Sequence, residues 1–258
     1  MNTKESYSVA IVGLGRMGMN HLAAVLDLKM DVTRLYDTKY ENMEKALQEF
    51  SLNSKLCNTL EDFFNGLNVD LLIIATTADS HFELIKKAVE TQIKKILCEK
   101  PLVRSVAQLE TIARMIEGSD VVLAVNHQMR FLHQYTKVLD LQQEFKLGAL
   151  TSASYSGANF GLGMNVTHYF EAFRYLTGIE IRNVWARLDK DPITNVRGEQ
   201  FSDASGVILA ENSADQKLFV DFQLGSGHQV LAVYNFRNGK IVVNEIEGHL
   251  SVISRLED

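Results

Sequence analysis

The stretch VAIVGLGRMG, residues 9–18, constrains this chain more than any other. Its apolar, β-branched start reads as a strand, and Gly13, Gly15 and Gly18 punctuate the end. Met19, Leu22, Ala23, Val25 and Leu26 follow at helical spacing, with polar residues between them. In a strand–turn–helix setting each glycine of GxGxxG has a task. Gly13 permits the tight turn, Gly15 lets backbone approach a pyrophosphate, and Gly18 lets helix and strand pack closely. Leu14, Arg16 and Met17 complete the turn, and the helix start offers N–H groups and a positive dipole end to phosphates. A βα turn of this kind can also bind nothing, but the strand and helix on either side favour a binding turn.

The pattern then repeats. Residues 32–36 form a second strand ending at Asp37, and Met43, Ala46, Leu47 and Phe50 share one face of the next helix. Thr59 and Asp62 are spaced as a capping box for a short helix through Phe63 and Phe64. VDLLIIA, residues 69–75, is continuously apolar, as a parallel strand covered on both faces should be. A helix over 82–91, a strand over 94–99, a helix capped by Ser105 and Gln108 and a strand over 121–125 complete the series. Such alternation predicts a doubly wound parallel sheet in an α/β domain.

The style changes after residue 125. A helix over about 131–145 and a half-buried strand over 150–155 precede the glycine-rich loop 157–163. A helix over about 166–176, stopped by Thr177 and Gly178, leads to strands near 181–188, 206–210, 217–222, 229–236 and 240–245. Asn238-Gly239 is a two-residue hairpin signal. Strands joined by short turns predict a mostly antiparallel sheet with one covered face, in an α+β domain. Two domains are therefore expected, 1–125 and 126–258.

Composition narrows the function classes. The chain has 258 residues, 46% hydrophobic and 22% charged, ordinary for a globular protein. A net charge of −6 without a basic cluster argues against nucleic acid as the main partner. The N-terminus has no apolar signal core, and no run reaches membrane-spanning length. Cys57 and Cys98 lie in apolar contexts without framework spacing, which suggests reduced thiols in the cytoplasm. The seven histidines show no metal-ligand spacing, so no metal is expected, and no nucleophile elbow supports hydrolysis.

Two further features carry chemistry. Asp37 stands where an acid can hold adenosine ribose hydroxyls and repel a 2′-phosphate, favouring NAD over NADP, although Arg34 and Lys39 lie nearby. CEKP, residues 98–101, follows a strand whose carboxyl end faces the ligand crevice of an open sheet. A lysine beside a bound nicotinamide can exchange a proton with a substrate hydroxyl.

GLGRMG after the first strand, ATTADSH after the strand at 69–75 and CEKP after the next resemble the Gfo/Idh/MocA family of glucose–fructose oxidoreductases and inositol dehydrogenases. The resemblance implies a Rossmann domain followed by a sheet domain that shapes the substrate pocket and often mediates homo-oligomers. It implies NAD(P)-dependent redox chemistry on sugars, cyclitols or nucleotide sugars. It makes Lys100 catalytic, together with His168 in NVTHYFE, and places Thr76, Thr77, His81, Glu99 and Lys100 along the dinucleotide. Substrate contacts are expected from Asn126, His127, Arg130, Asn165, His168 and Tyr169. Glu171, one turn beyond His168, can orient its ring or belong to a solvated helix face.

Three positions depart from the family pattern. Thr77 and Ala78 stand where Pro-Asn is usual. Met164 occupies a position, one turn before His168, that often holds an aspartate. The second domain is short for the family. The departures leave a catalytically silent dinucleotide-binding sensor or scaffold as the alternative to an oxidoreductase.

Overall fold

The computed structural model describes residues 6–158, 161–191, 193–194, 202–223, 226–227 and 229–255. They divide into two compact units, Met1–Asn126 and His127–Asp258.

In the first unit, strands β1 (Ser8–Val12), β2 (Asp31–Tyr36), β3 (Lys55–Leu56), β4 (Leu71–Ile74), β5 (Lys95–Glu99) and β6 (Val122–Asn126) alternate with helices. These are α1 (Arg16–Asp27), α2 (Tyr40–Phe50), α3 (Leu60–Phe64), α4 (Ala78–Glu90) and α5 (Val106–Ile116). All pairings are parallel, in the order β3-β2-β1-β4-β5-β6. The apolar runs reflect two covered faces. Val9, Ile11 and Ile73 pack with Leu22, Val25 and Met43 of α1 and α2, while Ala10, Val12, Leu72 and Ile74 pack with Phe63, Leu84, Ile85 and Ile112 of α3, α4 and α5. Burying each large aliphatic side chain contributes roughly 1.5–3 kcal/mol. The chain reverses direction across the sheet between β1 and β4, which puts a crevice at their carboxyl ends.

Local signals act as their chemistry demands. Thr59 accepts from the Asp62 N–H, and Ser105 from the Gln108 N–H, while Gln108 reaches back to the Arg104 N–H. The two-residue β3 has no counterpart in the sequence reading, because Lys55–Leu56 carries no period and exists only through pairing with β2.

The second unit starts with a single 3-10 turn, Gln128–Phe131, and α6 (His133–Glu144). The helix expected over about 131–145 is α6, preceded by the short turn and by Leu132 in extended backbone. β7 (Leu150–Ala158), α7 (Leu162–Thr177), β8 (Ile181–Leu188), β9 (Ile193–Thr194), β10 (Ser202–Asp203), β11 (Gly206–Asn212), β12 (Lys217–Gln223), β13 (Leu231–Phe236), β14 (Gly239–Asn244) and β15 (His249–Ser254) follow. Seven strands form one sheet in the order β15-β14-β13-β7-β12-β11-β8. Its described pairings are antiparallel except β7 with β12.

One face of this sheet carries the core, with Tyr155, Leu218, Val220, Phe222, Tyr234 and Ile241 packed against Tyr135, Tyr169 and Phe173 of α6 and α7. Within that core Tyr135 and Tyr169 donate to the Glu245 carboxylate, and the Tyr155 and Tyr234 hydroxyls lie 3.2 Å apart. Burial pushes the Glu245 carboxyl up, against the opposing effect of those two hydroxyls. The opposite face is open, and Trp185, Val207, Phe219 and Leu231 are exposed there.

Two boundaries differ from the sequence reading. α7 begins at Leu162 rather than near 166, and ends at Gly178 in the left-handed conformation as expected. Positions 159 and 160 of the expected loop lie outside the described residues. The hairpin loop is Arg237–Asn238, not Asn238-Gly239, with Gly239 paired to Phe236. A Cβ at Gly239 would run into the Ile253 carbonyl oxygen, so this glycine serves the approach of β15 rather than the turn.

Candidate active site

The glycine turn divides its work as the spacing predicts. Gly13 has φ +89°, and a Cβ there would lie 2.7 Å from the Ala75 carbonyl carbon and the Thr76 nitrogen. At Gly18 a Cβ would meet the Gly13 carbonyl oxygen. Gly15 is the contrast, being exposed, with nothing within 4 Å of an added Cβ. It opens α1, which has no side-chain cap and no acid in its first turn, so the N–H groups there are left for an anion. Arg16 is exposed and Met17 half-buried at that end, but the Leu14 side chain belongs to the core.

Asp37, at the end of β2, is not simply a solvated turn residue. Its Oδ2 accepts from the Leu14 N–H at 2.6 Å and its Oδ1 from the Lys39 N–H at 2.8 Å. The carboxylate therefore fixes the glycine turn, and each oxygen retains a second lone pair. Arg34 is committed elsewhere, donating to the carbonyls of Phe63 and Asn65 at 2.9 and 2.8 Å.

The loops after β4 and β5 are tied together. His81 is fully buried, its Nδ1 2.9 Å from the Pro101 carbonyl and its Nε2 3.1 Å from that of Thr76. A ring so enclosed holds the two loops together, so its expected place along the dinucleotide is as a support for the Thr76 and Pro101 backbone. The Ser80 hydroxyl lies 2.7 Å from that of Thr76 and donates to the Thr77 carbonyl at 3.0 Å, bracing the start of α4. The Thr77 hydroxyl holds the Asp79 carboxyl below the usual range, against its partial burial.

Glu99 is 5% exposed at the end of β5. His21 Nε2 lies 2.8 Å from its Oε1, and Asn126 Nδ2 donates to the same oxygen at 2.7 Å. Burial alone would raise this carboxyl, but the hydrogen bonds from His21, Asn126 and the Lys100 N–H hold it below the usual range. Lys100 follows, half-buried, on a cis peptide to Pro101. Asn126, expected at the substrate, is thus engaged with Glu99. His21 was not singled out by the sequence. The available signal was its position three residues beyond Gly18, on the helix face that approaches the strands.

The second unit assembles another group. The His127 and His168 rings meet edge-on, centroids 5.6 Å apart at 88°. Glu171 pairs with Arg130 and, through both oxygens at 2.7 Å, with Arg174. Its burial would raise the carboxyl, yet the Arg174 hydrogen bonds and the two guanidinium charges keep it low. Glu171 is therefore neither solvated nor shown orienting His168. Asn165 lies in the first turn of α7. Tyr169, expected at the substrate, is buried in the core, its ring tilted 42° to that of Tyr155 with centroids 4.4 Å apart, because successive helix residues point about 100° apart. Asp203 of β10 accepts from the Gly163 N–H at 2.6 Å and the Met164 N–H at 3.1 Å. It caps α7 from about forty positions away, which moves the helix start forward of the expected one. No local signal marked it.

Among the described residues no group of three or more His, Cys, Asp or Glu is placed to hold a metal, and no helix is long and apolar enough to cross a membrane.

Residues 7–127 match the family model described as oxidoreductase family, NAD-binding Rossmann fold (Gfo/Idh/MocA). Inositol 2-dehydrogenase 1 of Paenarthrobacter aurescens is 26% identical over 257 residues, covering 93% of this chain and 74% of that protein. Two solved structures share the fold. An Agrobacterium radiobacter oxidoreductase in complex with NAD+, L-tartaric acid and magnesium has a TM-score of 0.78 at 17% identity, covering 98% of this chain and 80% of that one. Apo scyllo-inositol dehydrogenase of Lactobacillus casei has a TM-score of 0.74 at 18% identity, covering 98% and 81%.

Proposed function

We propose that the chain is a member of the Gfo/Idh/MocA oxidoreductase family, whose model matches residues 7–127, and that it is a NAD-dependent dehydrogenase of a cyclitol or related sugar. The observation that carries this reading is the glycine turn. Gly13 and Gly18 are closed by backbone, whereas Gly15 is open beside an uncapped helix start, a cradle that a Cβ would fill. Bound NAD supplies a hydride acceptor for the carbon bearing the reacting hydroxyl. Gly15, Arg16 and Met17 hold the pyrophosphate through backbone N–H groups, and Asp37 accepts from the ribose. Thr76, Thr77 and Glu99 shape the nicotinamide end. Lys100 takes or returns the hydroxyl proton, with His168 sharing that task. His127, Arg130 and Asn165 contribute polar contacts to the hydroxyl-rich substrate. Buried reduced thiols at Cys57 and Cys98 suit an enzyme of the cytoplasm.

The test is turnover of inositols, sugars and nucleotide sugars with NAD, read by nicotinamide absorbance. Turnover of a polyol supports the reading. A protein that binds neither dinucleotide nor polyol overturns it.

NADH is expected to bind tighter than NADPH. Asp37 would lose a charged hydrogen bond and face a phosphate, a difference of roughly 1.5–3 kcal/mol, or ten- to a hundred-fold. The engagement of Arg34 with carbonyls supports this, since it commits that guanidinium to the protein backbone rather than to a 2′-phosphate. Equal or tighter NADPH binding by calorimetry overturns the assignment.

The open sheet face supports pairing with a second copy. Trp185, Leu209 and Phe219 stand opposite one another across three strands, and Arg187, Val207 and Asp221 form the next row. They line a groove of about 380 Å³. Apolar centre and opposite charges on one patch suit an isologous contact, in which each copy presents the same surface. Light scattering should show an oligomer that Trp185→Glu converts to monomer. A monomeric parent at micromolar concentration removes the proposal.

A further inference from the structure

We propose that His21 is a positioning residue for Lys100, acting through the buried carboxylate of Glu99. The inference rests on the assignment of Lys100 to the hydroxyl proton.

Three donors converge on Glu99. A carboxylate only accepts, so His21 Nε2, at 2.8 Å, and Asn126 Nδ2, at 2.7 Å, both present N–H to the same oxygen. The imidazole is therefore the tautomer protonated at Nε2, or the imidazolium. The third donor is the backbone N–H of Lys100 itself. With Glu99 5% exposed and the His21 side chain 12% exposed, little water reaches the cluster to replace a lost partner.

The consequence lies in the backbone. Lys100 carries its ammonium on a flexible four-carbon stem, so where the charge points depends first on the direction of its Cα–Cβ bond. Glu99 sets that direction by gripping the Lys100 N–H, and His21 and Asn126 set Glu99. Each partner comes from a different place in the fold: α1, the residue just past β5, and the end of β6. Helix α1 is also the one whose open start is read as the pyrophosphate cradle. One hydrogen bond from its second turn therefore fixes the lysine relative to that helix.

A charged acceptor left one donor short in a buried setting will draw in water or move. Either change loosens the Lys100 backbone without altering the glycine turn. The effect should appear in turnover and in local exchange, and not in dinucleotide affinity.

The experiment compares His21→Leu, His21→Asn and His21→Gln. Leucine removes the donor, asparagine keeps polarity but falls short of Glu99, and glutamine returns an N–H at the ε position. Three quantities are measured: kcat and KM for the polyol, NADH affinity by calorimetry, and amide exchange at Lys100 by mass spectrometry without dinucleotide. Leucine and asparagine should lower kcat at least ten-fold, leave the NADH Kd within about three-fold, and speed exchange at residues 99–100. Glutamine should restore most of the turnover and protection. Should leucine prevent folding, asparagine carries the same comparison. Unchanged kcat and exchange in both shortened variants overturns the proposal. So does a loss of NADH affinity as large as the loss of kcat with Lys100 exchange unchanged, which would make His21 a cofactor-side residue. The exchange measurement needs no turnover. If Lys100→Met turns over normally, the lysine assignment falls by itself, and faster exchange would still show that His21 holds this backbone.

Discussion

Lys100→Met should lower kcat and kcat/KM together by roughly 10²–10⁴, the usual contribution of a positioned proton-transfer group. NADH affinity should stay within a few-fold. Methionine keeps an unbranched stem of similar length and removes only the ammonium, so packing around the half-buried side chain is retained. The donors to Glu99 from His21, Asn126 and the Lys100 backbone N–H also survive the substitution. An effect confined to the chemical step therefore identifies the ammonium with the hydroxyl proton. Near-normal turnover shows that another group, most directly His168, handles that proton alone. A matching loss of NADH affinity instead makes Lys100 a cofactor ligand first.

The second large effect is on folding. Gly18→Ala places a methyl against the carbonyl oxygen of Gly13 and 2.8 Å from its carbon. Gly13 cannot yield, since it is held at φ +89° against the backbone of Ala75 and Thr76. Both neighbours are backbone, so no side chain can rotate away, and a loss of about 3 kcal/mol is expected, at the upper end for overpacking. Gly15→Ala is the control. Its φ of −67° and ψ of −170° suit alanine, and nothing lies within 4 Å of the new Cβ. Alanine there should raise stability by about 0.4–1 kcal/mol, by restricting the unfolded chain. It should nevertheless weaken NADH at least ten-fold, because its methyl occupies the pyrophosphate approach. Urea unfolding and NADH titration on both variants separate the two glycines. Parental affinity in Gly15→Ala would remove that residue from the dinucleotide site.

The contrast between these glycines shows how legibility was distributed. Strand–turn–helix punctuation, the caps at Thr59 and Ser105 and the apolar runs of β1 and β4 are local codes, each contained within a few residues. Dihedral preference, side-chain reach and the two-residue period fix them before any long-range contact forms. The sequence therefore determined the parallel sheet, its crevice and the style of the second unit. Resemblance, not spacing, supplied roles for Lys100 and His168.

Tertiary structure decided whatever depends on meeting a distant partner. His21 and Asn126 reach Glu99 from 78 and 27 positions away, and Asp203 caps α7 across 39 and 40. Neither arrangement has a period or a motif. Tyr169 shows the same limit within a single turn of helix, since His168 and Tyr169 are neighbours in sequence and both buried, yet the tyrosine ring meets Tyr155 and the histidine ring meets His127. Gly239 was legible as a glycine needed near a hairpin, but its reason is the carbonyl of Ile253 on the next strand. Local propensity determined which elements form. Which polar atoms are paired, and hence which residues remain for chemistry, was decided only when those elements packed, because a buried donor or acceptor is satisfied by whatever lies nearest in space.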